Sequence, residues 1–164
     1  MVELQKHRKK ILQKWQDKVL ESYTVKPVME ITGYIDDSTS QIFDKLVEVY
    51  NGGDYEGVEE PLDDLMRFLA VDGKKTPGDS IQDLFYLKEL LDKYYNPDKK
   101  EWLKLNEIID NFGYIAFNKY SACREEIYNM KMREKNRDLE IARRIIEYSG
   151  KHIEKMESEE STEK

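Results

Sequence analysis

Apolar side chains return every three or four residues along most of the chain, and that spacing gathers them on one face of an α-helix. Ile11, Leu12, Trp15, Val19, Leu20 and Tyr23 form such a stripe and predict a first helix over residues 4–23. Residues 25–33 contain Pro27 and end in Gly33, which predicts a connection. Asp36, Asp37 and Ser38 suit an N-cap, so a second helix is expected after them, carrying Ile42, Phe43, Leu46, Val47 and Tyr50 and stopping at Asn51-Gly52-Gly53. Pro61 fits the first turn of a third helix with Leu62, Leu65, Met66 and Leu69 on its buried side and Gly73 as its stop. Thr76, Pro77 and Asp79 spell a capping box for a fourth helix, in which Ile81, Leu84, Phe85, Leu87, Leu91 and Tyr94 mark the stripe and Asn96-Pro97 closes it.

From residue 98 onward no proline intervenes, and Trp102, Leu105, Ile108, Ile109, Phe112, Ala116, Tyr120, Cys123 and Ile127 hold helical spacing for turn after turn. Gly113 within that run costs about 1 kcal/mol against alanine, which points to a close helix crossing or a bend. Residues 132–138 have no apolar face and no helix breaker, so a solvated helical extension is expected there. Leu139, Ala142, Ile146, Ser149, Ile153 and Met156 then alternate by three and four, the seam of a short coiled coil. Alternation of the kind that builds strands is absent. The fold class is therefore all-α: a five- to six-helix bundle with a long C-terminal helix, divided into a helical domain over 1–131, an extension over 132–156 and a disordered polar tail over 157–164.

Composition narrows the function classes. With 164 residues the chain has the length of one domain, and 39% apolar residues are enough for a core despite 37% charged ones. One cysteine, Cys123, excludes an internal disulfide, and no apolar run approaches the roughly 20 residues that span a bilayer. The charged N-terminus lacks the apolar stretch of a signal peptide, so a cytoplasmic location and no stable membrane insertion are expected. Residues 1–26 hold seven Lys and Arg against three acids, whereas residues 27–110 hold nine against twenty. Such an acidic middle repels phosphate, which argues against a nucleic-acid partner.

Candidate chemistry is sparse. His7 and His152 both lie outside the apolar stripes, unlike a haem ligand, and neither follows a glutamate by three as a di-iron bundle site requires. No metal or cofactor is expected. Cys123 on the apolar face reads as a small core hydrophobe. Glu59, Glu60, Asp63 and Asp64 read as an acidic first turn that complements a helix dipole. No phosphate-binding glycine loop and no nucleophile with a histidine base is present, which argues against an enzyme. Trp15, Phe85, Trp102, Phe112 and Tyr120 fall on expected buried faces, as core or as the lining of a small-molecule pocket between the fourth and the long helix.

Three segments occurring in order carry a resemblance. They are residues 10–23 (Lys-Ile-Leu-Gln-Lys-Trp-Gln-Asp-Lys-Val-Leu-Glu-Ser-Tyr), residues 63–71 (Asp-Asp-Leu-Met-Arg-Phe-Leu-Ala-Val) with Thr76-Pro77, and residues 116–128 (Ala-Phe-Asn-Lys-Tyr-Ser-Ala-Cys-Arg-Glu-Glu-Ile-Tyr). Together the chain over residues 4–137 resembles the RsbRD N-terminal domain family, the input half of RsbT co-antagonist proteins of the stress response. That resemblance implies a helical sensor module with a globin-like arrangement and no haem. Arg67 and Arg124 match family positions without a catalytic role to carry over. Family members often precede a STAS or kinase domain, for which too little chain follows residue 131 here; others accompany anaerobic sulfur-redox complexes, and an accessory role of that kind is one alternative.

The residues themselves suggest a homodimer joined along Leu139, Ala142, Ile146 and Ile153, with part of the 112–130 helix contributing. Two other readings stay open. One is a small-ligand sensor. The other is a peripheral adaptor that turns Lys6, Arg8, Lys9, Lys10, Lys14 and Lys18 toward anionic lipid, although that helix needs the same apolar face for its core.

Overall fold

Wherever the three-four spacing runs on, the chain closes into helix. The computed structural model describes residues 2–21, 23, 29–71 and 75–162. Among the described residues there are five α-helices and no strand: α1 (Val2–Leu20), α2 (Met29–Tyr50), α3 (Glu59–Val71), α4 (Pro77–Tyr95) and α5 (Lys99–Thr162). The chain separates into two units, Met1–Arg124 and Glu125–Lys164.

In the first unit α1 lies against α2 and α4, and α3 lies against α2 and α4. Trp15, Phe43, Met66, Leu87, Phe112 and Tyr120 are buried between them, each drawn from a stripe visible in the sequence. Removing such side chains from water contributes about 1.5–3 kcal/mol apiece. The indole N–H of Trp15 donates to the main-chain carbonyl of Asp83 at 2.8 Å, fastening α1 to α4 at a point where a lone buried N–H would be costly. Gly113 answers the question its position raised. An added Cβ would stand 2.6 Å from Cε1 and Cζ of Phe85, so the glycine lets the ring press directly on the backbone of α5.

Capping fixes where two helices begin. Thr76 Oγ1 accepts from the Asp79 N–H at 3.2 Å while the Asp79 carboxylate accepts from the Thr76 N–H at 2.9 Å, the expected capping box of α4 with Pro77 in its first turn. Asn96 ends α4 in the left-handed region, φ 49°, its N–H donating to the Leu91 carbonyl. A second reciprocal pair opens α5: Glu101 N–H donates to Asp98 Oδ1 at 2.8 Å and Asp98 N–H to Glu101 Oε2 at 3.0 Å. The hydroxyls of Tyr50 and Tyr95 donate to the other carboxylate oxygen, tying α2 and α4 to this corner. The Asp98 N–H, followed by the Tyr95 hydroxyl, holds the Glu101 carboxyl below its ordinary range, and burial raises both tyrosines.

Several expectations are corrected. Helix α2 begins at Met29, not after Ser38, so residues 29–33 are helical; residues 25–28 lie outside the described residues, as does Gly73. Asp36, Asp37 and Ser38, expected as N-caps, lie inside α2 instead. The hydroxyls of Ser38 and Thr39 donate to the carbonyls of Tyr34 and Ile35 one turn back, at 2.8 and 2.6 Å, which satisfies them inside a helix and lets both be buried. The boundary after residue 131 moves to Arg124, because Cys123 is the last buried apolar residue of α5 and Tyr128 and Met130 are exposed. Arg124 closes the unit by donating to the Ala70 carbonyl at 2.9 Å. The tail expected to be disordered from residue 157 is instead helical to Thr162, along a Glu-, Ser- and Thr-containing run that has neither Gly nor Pro; residues 163–164 lie outside the described residues.

Candidate interaction surface

The second unit offers a helix and nothing of its own to pack it against. Residues 132–138 are exposed throughout, as their composition predicts. Leu139, Ile146 and Ile153 follow at 61%, 70% and 56% exposure, so more than half of each side chain stays uncovered by the rest of the second unit. Ala142, Ser149 and Met156 continue the same line and are exposed too. Structure therefore puts the four residues nominated as a dimer interface on one open face. A second apolar line escaped the reading of the sequence although its spacing was present: Ile141, Ile145 and Tyr148, also exposed, run beside the first. Tyr148 stacks on His152 one turn further, ring centroids 6.4 Å apart. On the polar side Arg144 pairs with Glu140 at 2.6 Å and Arg143 with Glu147 at 3.0 Å, each contact internal to the helix.

The five aromatic residues nominated for a pocket differ in burial. Trp15, Phe112 and Tyr120 are consumed by the core, Phe112 meeting the ring of Tyr55 edge-on at 6.0 Å. Phe85 and Trp102 are only half-buried, a correction to the buried faces assigned to them. Phe85 borders a recess of about 580 Å³ with Pro77, Ile81, Gln82 and Phe117, open to solvent rather than enclosed, and Lys88 lies over its ring at 4.8 Å. The Tyr120 hydroxyl is buried with no hydrogen-bond partner among the described residues.

One polar cluster was not foreseen. Asp83 occupies a buried turn of α4 between Ser80 and Leu87, and its carboxylate is paired with the ammonium of Lys75. Lys18, Glu21, Asp79 and Gln82 complete a recess of about 390 Å³ around this pair. Burial pushes the Asp83 carboxyl up and Lys75 draws it partly back. The signal available beforehand was a carboxylate on the apolar period of a helix, which demands a partner. Among the described residues no three His, Cys, Asp or Glu side chains group to hold a metal ion, and His7 and His152 fall in different units. No helix of the described residues is long and apolar enough to cross a membrane.

Fold and surface together define an all-α helical bundle whose last helix continues into an exposed apolar face. No family model matches the chain, and no solved structure matches it. It is 34% identical over 146 residues to an uncharacterized protein of Archaeoglobus fulgidus, a match that covers 89% of this chain and 96% of that protein, and it belongs to the same family. Any stretch of that length in a 164-residue chain contains residues 19–146, so the aligned segment reaches well into the second unit and spans positions 139–146.

Proposed function

We propose that this protein is a non-enzymatic signalling or adaptor module of the cytoplasm that acts through protein–protein contacts, its chains paired along the second unit. The observation that carries the reading is the row Leu139, Ala142, Ile146, Ile153, open along its whole length on a helix where Arg143 and Arg144 pair with Glu147 and Glu140 of the same helix. An isolated helix that exposes isoleucine and leucine at this density gains by covering them with another polypeptide. The same helix α5 supplies Phe112, Ala116 and Tyr120 to the core of the first unit. Resemblance of the three ordered segments to the RsbRD N-terminal domain family supports an input role for that unit. A ligand-sensing role ranks lower because Trp15, Phe112 and Tyr120 are spent on packing.

Sedimentation tests the association. The parent is expected at twice the 19.6 kDa chain mass and a Leu139→Asp plus Ile146→Asp variant at the mass of one chain. Urea unfolding of the first unit, followed through the fluorescence of Trp15 and Trp102, should be the same in both, since neither substituted residue belongs to its core. Equal masses for parent and variant overturn the proposal.

A further inference from the structure

The exposed stripe also specifies how a second copy lies on it. Extending the three-four spacing of Leu139, Ala142, Ile146, Ser149, Ile153 and Met156 by one step at each end brings in Lys135 and Glu160, so the full seam is charged at both extremities and of opposite sign. Large and small residues alternate within it: Ala142 and Ser149 are small, Ile146 and Ile153 large. A parallel pair would set identical residues side by side. Lys135 would face Lys135 and Glu160 face Glu160, while Ala142 opposite Ala142 and Ser149 opposite Ser149 would leave gaps between layers crowded by isoleucine.

Reversing one helix removes each conflict. In the symmetric register that uses the whole stripe, the two-fold axis passes between Ile146 and Ser149. Ile146 then meets the partner's Ser149 and Ala142 the partner's Ile153, so the two inner layers each join a large residue to a small one, while Leu139 meets the flexible Met156 of the partner in the outer layer. Lys135 meets the partner's Glu160. The wider charge agrees. Residues 133–144 hold five Lys and Arg against three acids, and the segment that they face, residues 151–162, holds two against four. One flanking pair, Asp138 with the partner's Glu159, is alike in charge and sits at the solvated end. Beside the seam Arg143 comes opposite Gly150, which offers no side chain to obstruct it.

We infer that the occupant of the exposed face is a second copy of this chain lying antiparallel, with Ala142 against the partner's Ile153 and Lys135 against the partner's Glu160. The inference rests on the pairing proposed above and adds its direction and register.

Disulfide trapping in the full chain tests it. Chains carrying Ala142→Cys are co-expressed with chains carrying Ile153→Cys and oxidised, the parent serving as control because its own Cys123 is buried. The mixed disulfide is expected at about tenfold or more the yield from either variant alone, since identical positions in an antiparallel pair stand about 16 Å apart along the axis at 1.5 Å per residue. Ala142→Cys trapping itself as efficiently as the mixture does would show parallel helices and overturn the inference. A second set of variants exchanges charge. Lys135→Glu should weaken association about tenfold and Glu160→Lys added to it should restore the parent affinity; absence of rescue overturns the register. A parent that sediments as a single chain removes the pairing itself, whereas a dimer that fails both tests removes only the antiparallel arrangement.

Discussion

Replacing Trp15 with alanine is expected to lower the unfolding free energy of the first unit by about 3–5 kcal/mol, the range for deleting a buried aromatic side chain. Trp15 is wholly buried where α1 meets α4, and its loss acts twice. The indole volume becomes a cavity that close-packed neighbours fill only in part. The Asp83 carbonyl also loses the donor at 2.8 Å. Trp15→Phe separates these contributions, because it restores most of the apolar volume without the N–H and should recover more than half of the loss. Urea denaturation followed by the remaining tryptophan, Trp102, reads both variants. A cost below about 1 kcal/mol for Trp15→Ala would contradict the packing described for α1 and α4.

Lys75→Met is the second large effect, and its dependence on pH is the informative part. With the ammonium gone, the Asp83 carboxylate is left buried beside Ser80 and Leu84 with its main opposite charge removed. Breaking a buried pair from one side typically costs about 3–5 kcal/mol; beside an open recess about 2 kcal/mol is expected at pH 7. Burial already raises the folded-state pKa of Asp83 above its unfolded value, and deleting Lys75 raises it further. A carboxyl shifted upward binds its proton more tightly when folded. Its penalty is therefore absent below the unfolded pKa, near 3.9, and grows as pH climbs through the folded one. Stability of Lys75→Met relative to the parent should accordingly fall between pH 4 and pH 7, and Lys75→Met combined with Asp83→Asn should lose most of that slope. A difference that does not vary with pH would show that the ion pair contributes nothing at this site.

Much of the architecture was legible because periodicity is a property of the chain itself. Stripes such as Leu62, Leu65, Met66 and Leu69, or Leu105, Ile108, Ile109 and Phe112, became the buried faces of α3 and α5. Thr76 with Asp79 announced the start of α4 by a local hydrogen-bond pattern that needs no tertiary information. What stayed hidden depends on neighbours. Ser38 looks like a cap until its hydroxyl is seen to bond one turn back within α2. Phe85 and Trp102 lie on apolar stripes, yet the bundle covers only part of each. Asp83 reads as surface charge until Lys75 arrives across a connection. The open face at Leu139 and Ile146 was visible in the sequence as a seam, and its second line at Ile141, Ile145 and Tyr148 was missed because attention to one helical period hides another offset by a fraction of a turn.

Position 113 has room for a single hydrogen atom for as long as a phenyl ring occupies position 85. Alanine there would gain about 1 kcal/mol of helix formation and surrender it by displacing the ring. Position 113 is consequently not free to drift by itself. A smaller residue at 85 is the permissive first step, and only after it does any side chain at 113 become an improvement, so the substitution histories of these two residues on different helices are bound together and run in a fixed order.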